Sequence, residues 1–236
     1  MFNIIAMVGV RNAGKDESAN AFRFLLSTPK FLHKYWIYKL VPNLRLKGNW
    51  LKVSFAGTLK QMLALLLKVP VEKFEDRDFK ENVFVDFDSL QLSHRTEVDK
   101  KYIMSDSKFN RHVKEMTIDT HSYLLSIRQL LQYWGTNVMR FYFGDKLWCL
   151  TTLKHSNTND LIISDLRFKT EAKEVKKEQG ILIYIDRPGC EVGNHQSERE
   201  AFELYNERKC DYIIHNDGTL EDLFYKCKEI CVSSYE

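Results

Sequence analysis

Apolar residues along the chain fall into two spacings, which predict alternating strands and helices. Continuous apolar runs at 4–8, 161–163 and 181–185 have the length and β-branched content of buried strands. Helical spacing follows over 17–26 and 169–179, the latter ending at a glycine. Because this alternation is typical of a parallel sheet with helices on both faces, we predict an α/β fold with about five parallel strands.

The rest of the pattern completes this layout. Further strands are predicted at 51–55 and 212–214, and helices at 59–67, 126–140, 142–153 and after Thr219, which caps the last helix together with Asp222. The segment 28–50 has no clear period, so we interpret it as an insertion and expect a hairpin. The polar, weakly periodic segment 72–122 indicates an inserted or mobile subdomain, and the whole chain 1–236 is expected to be one domain.

Composition restricts the class of protein. With 44% hydrophobic residues and four prolines, the 236-residue chain is expected to be globular and core-forming. No apolar run has the length of a membrane span, and the first predicted strand leaves no room for a signal peptide, so we expect a soluble cytoplasmic protein. The five cysteines show no C-x-x-C spacing, so we expect no zinc site.

Charge is distributed unevenly although the net charge is only +3. No acidic residue occurs between Ser18 and Val71, whereas this stretch carries Arg23, Lys30, Lys34, Lys39, Arg45, Lys47, Lys52, Lys60 and Lys68. Tyr35, Trp36, Tyr38 and Trp50 lie among them. Three interpretations stay open here: a nucleic-acid surface, a basic wall that attracts phosphorylated substrates, or a solvated insertion without a function of its own.

A glycine-bounded loop follows the first predicted strand. It reads Gly9-Val-Arg-Asn-Ala-Gly-Lys15-Asp16 and leads into a helix, which is the strand–loop–helix arrangement of a phosphate-binding P-loop. Backbone N–H groups of such a loop converge on polyphosphate at the positive end of the helix, and Lys15 would reach the β- and γ-phosphates.

Asp16 stands where a P-loop usually has Ser or Thr. Its carboxylate could serve Mg²⁺ directly or through water, since this hard cation prefers oxygen ligands. The alternative is that Asp16 only complements the helix dipole. Ser18 adds a nearby hydroxyl, and we expect Arg11 to project from the loop, where it could meet nucleotide or phosphate.

Several polar residues come directly after predicted strands. Ligands of open parallel sheets bind beyond the carboxyl ends of the strands. Those ends carry the P-loop, Ser54–Gly57 with Lys60 one turn later, Ser164-Asp165-Leu166-Arg167, and Asp186-Arg187-Pro188-Gly189. We therefore expect one site that gathers groups compatible with phosphate and Mg²⁺.

The chain resembles the deoxynucleoside monophosphate kinases of bacteriophages and related viruses. Four segments carry the resemblance: Gly9–Asp16, Phe55-Ala-Gly-Thr-Leu-Lys60, Arg128-Gln-Leu-Leu-Gln-Tyr-Trp-Gly-Thr136, and Ser164-Asp-Leu-Arg-Phe-Lys-Thr-Glu171. The tail, with Arg187-Pro188-Gly189, His195, Glu198 and Asn216-Asp217-Gly218-Thr219, is also similar. The segments 28–50 and 72–122 lie outside the resemblance, and the Lys-Asp loop ending is shared with phosphomevalonate kinases of animal type.

The resemblance implies a P-loop kinase that transfers the γ-phosphoryl group of ATP, with Mg²⁺, to a deoxynucleoside 5′-monophosphate. ATP would be held by Arg11, Asn12, Ala13, Gly14, Lys15, Asp16, Glu17, Ser18 and Arg187. The acceptor would be held by Lys60, Arg128, Gln132, Gly135, Thr136, Asp165 and Arg167. The segment 187–199 would be lid-like.

The residue types suit those roles. The acceptor is already an anionic phosphate, so catalysis needs alignment and charge neutralisation rather than a strong base. We assign neutralisation to Lys15, Arg128 and Arg167, and orientation of Mg²⁺-bound water or of an acceptor group to Asp165. Other hypotheses are a kinase for another phosphorylated metabolite, or a non-catalytic P-loop protein that binds nucleic acid. The accepted base and formation of a homodimer are not determined by the sequence.

Overall fold

A computed structural model describes residues 3–41, 50–115, 123–193 and 195–233. The chain forms two compact units. The first comprises Met1–Phe55 and Cys149–Glu236, and the second comprises Ala56–Trp148, which contains the predicted insertion 72–122. The expectation of a single kinase domain with insertions stays a prediction.

The first unit is built on a parallel sheet of five strands. Numbered along the whole chain, these are β1 (Ile4–Val8), β2 (Trp50–Val53), β6 (Asp160–Leu166), β7 (Ile181–Asp186) and β8 (Tyr212–His215). Their order across the sheet is β2-β6-β1-β7-β8, and every neighbouring pair is parallel. The predicted α/β fold with a sheet of about five parallel strands is confirmed.

Helices cover both faces of this sheet. The helices that belong to the first unit are α1 (Lys15–Ser27), α2 (Tyr35–Leu40), α9 (Lys169–Lys177), α10 (Gln196–Asn206) and α11 (Leu220–Ser233), and α8 (Leu147–Leu153) begins at the boundary between the units. Ile5 and Met7 of β1 lie in one buried cluster with Phe22 of α1 and Phe224 of α11. On the other face, Tyr184 of β7 stacks on Tyr205 of α10 with the ring centroids 4.5 Å apart. Side chains alternate between the two faces because successive strand residues point to opposite sides.

The strand order places a topological switch point beside β1. The chain leaves β1 for β2 on one side of the sheet, whereas it leaves the neighbouring strand β7 for β8 on the other side. Connections that diverge in this way open a crevice at the carboxyl ends of the two strands, where ligands of open α/β sheets bind.

The predicted hairpin within 28–50 is wrong for the described residues. The chain there forms a short 3₁₀ turn at Lys30–Leu32 and then α2, while residues 42–49 lie outside the described part. The helix forms because Tyr38 is buried, with its ring 5.5 Å from that of Phe24 and 5.2 Å from that of Phe224. Packing against α1 and α11 thus decides a segment whose own pattern is weak.

The second unit has its own antiparallel sheet. Its strands β3 (Val83–Val85), β4 (Leu92–His94) and β5 (Leu125–Ser126) are ordered β4-β3-β5. Its helices are α3 (Gly57–Leu67), α4 (Arg77–Asn82), α5 (Asp106–Glu115), α6 (Ile127–Gln132) and α7 (Phe141–Phe143). The polar segment 72–122 therefore forms regular elements, apart from residues 116–122, which lie outside the described part.

The helix predicted at 126–140 changes geometry along its length. It begins at Ser126, which caps α6 in a reciprocal box with Gln129. From Tyr133 to Arg140 the turns widen to the π type, which occurs frequently at functional sites. The caps predicted for α11 are confirmed, since the Asp222 N–H donates to the Thr219 hydroxyl at 3.2 Å and the Thr219 N–H donates to the Asp222 carboxylate at 2.7 Å.

No helix within the described residues combines the length and the apolar character needed to cross a membrane.

Candidate active site

The loop after β1 is bent by residues in the left-handed backbone region. Gly9, Asn12 and Gly14 have φ values of 148°, 64° and 104°. A side chain at Gly14 would also lack space, because its Cβ would lie 2.5 Å from the Asn216 amide nitrogen. This position therefore requires glycine both for its φ and for its close approach to Asn216.

Lys15 starts α1 and lies inside the bend, with only 7% of its surface exposed. Its ammonium donates a 2.6 Å hydrogen bond to the carbonyl of Val10. Burial, reinforced by the positive charge of Arg167, lowers the pKa of Lys15 to about 8, while Glu198 and, more weakly, the other nearby carboxylates oppose this shift. A polyphosphate would supply the negative charge that favours the ammonium form.

Residues at the ends of β7 and β8 brace the loop from the side. The Asn216 side-chain amide donates to the carbonyl of Ala13 at 2.8 Å, and its backbone N–H donates to the carbonyl of Asp186 at 2.6 Å. The Arg187 guanidinium lies 3.4 Å from the carbonyl of Asn12. Asn216 and Arg187, which lie outside the loop, thus contact two of its backbone carbonyls.

The end of β6 contributes a carboxylate and a guanidinium. Asp165 accepts a 2.7 Å hydrogen bond from the backbone N–H of Phe55. The Arg167 backbone N–H donates to Glu171 at 2.9 Å, and its guanidinium pairs with Glu198. Glu198 also accepts a 2.6 Å hydrogen bond from the backbone N–H of Arg11 in the loop.

The first turn of α1 carries the oxygen donors that Mg²⁺ prefers. Asp16 is 78% exposed at its side chain and forms an ion pair with Lys52 at 3.2 Å. The Ser18 hydroxyl donates to the carbonyl of Gly14 at 3.0 Å, and the Glu17 carboxylate accepts from the Tyr38 hydroxyl at 2.8 Å. Glu17 therefore connects α1 with Tyr38 of α2, and its expected contact with ATP stays a prediction.

No group of three or more His, Cys, Asp or Glu within the described ranges is arranged to hold a metal ion by itself. Mg²⁺ typically takes one or two carboxylates and completes its shell with water and substrate phosphates. The hard carboxylate oxygens of Asp16 and Asp165 fit that donor chemistry.

The predicted acceptor residues of the second unit lie on α3, α6 and the wide-turn helix Tyr133–Arg140. Lys60 pairs with Glu75 at 2.8 Å, and Arg128 pairs with Glu81 at 2.6 Å. Gln132 and Thr136 are half-buried on their helices. Gly135 is buried, and its carbonyl accepts a 3.0 Å hydrogen bond from the Trp148 indole.

Residues 28–41, the described first part of the basic insertion 28–50, expose aromatic side chains. Phe31 and Trp36 are 76% and 65% exposed, and Lys30, Lys34 and Lys39 are exposed around them. Aromatic faces beside lysines suit a nucleic-acid strand, and the lysines alone suit attraction of anionic substrates. The three interpretations of this segment stay open.

The first unit brings most of its predicted site residues to one edge of the sheet. Lys15, Asp16, Asp165 and Arg167 interact there electrostatically. Sequence reasoning gave no role to Glu198 or Asn216, although both lie in the tail that carries the family resemblance. Extending the strand-end rule to the fifth strand would have indicated Asn216, which directly follows β8. Glu198 lies in a helix, and only the folded chain brings it to the loop.

Comparison with known proteins gives the family. The model of the deoxynucleotide monophosphate kinase family matches residues 70–227. A protein of Acanthamoeba polyphaga mimivirus, assigned by name to the deoxynucleotide monophosphate kinases, is 27% identical over 148 residues, an alignment covering 56% of this chain and 75% of the viral protein.

A dephospho-CoA kinase from Campylobacter jejuni is 12% identical in structural superposition, which covers 99% of this chain and 98% of that chain with a TM-score of 0.37. This is a loose structural likeness, so the assignment depends on the match of the family model. By the family match, which spans more than half of its length, the chain belongs to the deoxynucleotide monophosphate kinase family.

Proposed function

We propose that the first unit binds ATP and that the γ-phosphoryl group of this ATP is transferred to a deoxynucleoside 5′-monophosphate, giving the diphosphate. The family supports the reaction, and one observation supports the location of ATP. Lys15 lies buried in a loop bent by Gly9, Asn12 and Gly14, at the amino end of α1. Such a loop presents converging N–H groups to polyphosphate at the positive end of a helix dipole.

Three cationic side chains would neutralise the phosphates. Lys15 would bind the β- and γ-phosphates, and Arg167 at the end of β6 would bind the transferring group. Arg128 would bind the acceptor phosphate, with Lys60, Gln132, Gly135 and Thr136 as further acceptor residues. Planar guanidinium groups suit this work because they bind phosphate oxygens in pairs. Repulsion between two anions is the main barrier that these residues would lower.

Mg²⁺ would be held by Asp16 and, through water, by Asp165, with the remaining positions taken by water and phosphate. When bound, the ion supplies charge neutralisation at the phosphate oxygens. Lys52, which pairs with Asp16 at 3.2 Å, would restrict the motion of this exposed carboxylate. Arg187, whose guanidinium lies near the carbonyl of Asn12, would contact ATP from the 187–199 segment.

A panel of acceptors tests the proposal. Purified protein is incubated with Mg-ATP and dTMP, dGMP, dCMP, dAMP or phosphomevalonate, and ADP release is measured. We expect turnover with at least one deoxynucleotide and a loss of about 10²–10³-fold or more in Lys15→Ala, the cost of removing one electrostatic stabiliser. Lys173→Ala removes an exposed lysine of α9 to which no role is assigned and serves as the matched control. Turnover with phosphomevalonate alone would contradict the proposed acceptor.

A nucleic acid is a second candidate partner, favoured by the exposed Phe31 and Trp36 among lysines. Fluorescence anisotropy with a single-stranded oligonucleotide at low and moderate salt measures it. Affinity that falls steeply with salt, and falls further in Trp36→Ala, would support this partner. Binding that is weak at low salt, together with unchanged kinase activity in the variant, would exclude it.

A further inference from the structure

The carboxylate of Glu198 connects three parts of the first unit. It lies in the first turn of α10 and is 6% exposed. One oxygen accepts a 2.6 Å hydrogen bond from the backbone N–H of Arg11, at the start of the phosphate loop. The other oxygen accepts from the guanidinium of Arg167, directly after β6. One side chain thus links the loop, the end of β6 and the first turn of α10, which begins within the 187–199 segment.

The surroundings of Glu198 stabilise its buried carboxylate and fix its position. Burial of a carboxylate is costly unless strong donors surround it, and Glu198 has both an amide and a guanidinium. His195 caps α10, since its ring accepts from the backbone N–H of Ser197 at 3.2 Å, and the Glu198 N–H donates to the His195 carbonyl at 3.0 Å. The cap fixes the first turn of the helix, and the fixed turn places the carboxylate.

Arg167 keeps donors available beyond this contact. A guanidinium has five N–H donors, and within the described residues the side-chain hydrogen bond of Arg167 uses only its Nη1 atom. The backbone of Arg167 is held independently, by the hydrogen bond from its N–H to Glu171 at 2.9 Å. The hydrogen bond to Glu171 therefore fixes the backbone of Arg167, and the contact with Glu198 fixes its guanidinium.

We infer that Glu198 is a positioning residue for phosphoryl transfer: its carboxylate aligns the Arg167 guanidinium and the Arg11 amide of the loop, leaving the other donors of Arg167 for a phosphate. This inference rests on the proposed function, in which Arg167 binds the transferring group. An arginine held in place before the substrate arrives loses less side-chain freedom on binding. Glu198 acts through Arg167 and does not itself touch the substrate.

The substitution Glu198→Gln tests this role with little change in shape. Glutamine keeps one acceptor oxygen but places an NH₂ group against one of the two donors. The matched control is Glu200→Gln on the same helix, because Glu200 also accepts a backbone hydrogen bond, from Lys169 at 2.9 Å, without contacting the loop or Arg167. A merely structural role would make the two variants similar.

The experiment is a double-mutant cycle with Arg167→Ala, in which kcat and KM are measured with Mg-ATP and the best deoxynucleotide acceptor. We expect Glu198→Gln to lower kcat by about tenfold to a hundredfold, the size typical of residues that orient an active-site group, while the KM values change by less than about threefold. In the Arg167→Ala background the same substitution should lower kcat by less than about threefold, because its target is gone. Glu200→Gln should retain wild-type kcat.

Each other outcome overturns the inference. An equal loss of kcat in both backgrounds would show that Glu198 does not act through Arg167, and a similar loss in Glu200→Gln would indicate a general effect on α10. If a thermal melt shows that Glu198→Gln is unfolded, Glu198→Asp replaces it. The aspartate side chain keeps the charge, but it is too short for its carboxylate to reach both donors. The same double-mutant cycle and the same outcomes then apply. Absence of wild-type turnover refutes the proposed function itself, whereas wild-type turnover with additive losses refutes this inference alone.

Discussion

The side-chain amide of Asn216 donates a 2.8 Å hydrogen bond to the backbone carbonyl of Ala13, which joins the end of β8 to the phosphate loop. Both residues are buried, and the Asn216 amide is the side-chain partner that the Ala13 carbonyl has from the end of β8. Replacing Asn216 therefore leaves an unpaired acceptor beneath the loop, next to the residues proposed to hold ATP.

We expect Asn216→Ala to lower the free energy of unfolding by about 1–3 kcal/mol, the cost of one buried polar group without a partner. The KM for ATP should rise as well, because the loop loses the hydrogen bond that holds the carbonyl of Ala13. Thr219→Ala removes the cap of α11 three residues later and should cost about 1 kcal/mol of stability with an unchanged KM for ATP. Urea denaturation and steady-state kinetics measure the two effects. Equal KM values in both variants would contradict a bracing role for Asn216.

A comparison of alanine substitutions at Gly14 and Gly144 distinguishes the effect of backbone strain from that of a steric conflict. Both have a left-handed φ, 104° and 93°, but only at Gly14 would a Cβ meet a neighbour, the Asn216 amide at 2.5 Å. Gly144→Ala should cost about 1–3 kcal/mol from strain alone, because its φ of 93° and ψ of 153° form a combination that essentially only glycine adopts. Gly14→Ala adds a steric conflict to the backbone strain and should abolish ATP binding, because the loop or Asn216 must shift. Isothermal titration with ATP and thermal melts check this, and intact ATP binding in Gly14→Ala would be inconsistent with the loop described above.

Lys15 makes stability depend on pH in a defined window. Its pKa is about 8 in the folded protein against 10.5 in the unfolded chain, so below pH 8 the folded state bears the full cost of a buried charge. Between about pH 8 and 10.5 the unfolded state binds more protons, so stability contributed at this site rises with pH. The full effect is about 3 kcal/mol for this pKa difference.

The comparison of wild type with Lys15→Met isolates this effect. In the absence of nucleotide and Mg²⁺, the variant should be more stable at pH 7, and the difference should shrink as the pH approaches 10. Urea denaturation across that range measures it, with Lys34→Met, at an exposed position, as the control that should show no such trend. A difference that is constant with pH would mean that Lys15 is not buried as a charge.

Arg128 and Glu81 test the acceptor side within the second unit. Their ion pair at 2.6 Å leaves two interpretations of Arg128, a phosphate ligand that Glu81 orients or a surface ion pair. If Arg128 binds the acceptor phosphate, Arg128→Ala should lower kcat/KM for the deoxynucleotide by about 10²–10³-fold, and Arg128→Lys should not restore it, because lysine lacks the paired donors.

Glu81→Gln provides the contrast for that prediction. It keeps a hydrogen-bond acceptor and removes only the charge, so its effect on kcat/KM should stay below about tenfold. Steady-state kinetics with varied deoxynucleotide at saturating ATP compare the variants. Equal losses in Arg128→Ala and Glu81→Gln would indicate that the pair serves the structure of the unit rather than the substrate.

Local pattern was sufficient for the sheet and for the loop. The apolar runs at Ile4–Val8 and Ile181–Ile185 are long, β-branched and bounded, so their strand character was predictable, as were the caps of α11. Lys15 and Gly14 were recognisable because a phosphate loop is continuous in sequence. The segment around Tyr38 was mispredicted because its helix depends on contacts with Phe24 and Phe224, which lie outside any local window.

The sequence by itself determined an α/β chain with a phosphate loop after the first strand, because spacing and glycine placement are local properties. Only the tertiary structure decided which distant groups meet that loop. Glu198 and Asn216 follow Arg11 and Ala13 by 187 and 203 residues, and the order of the parallel strands brings each pair within hydrogen-bonding distance. Parallel strands place all their carboxyl ends at one edge, so residues remote in sequence share one site there.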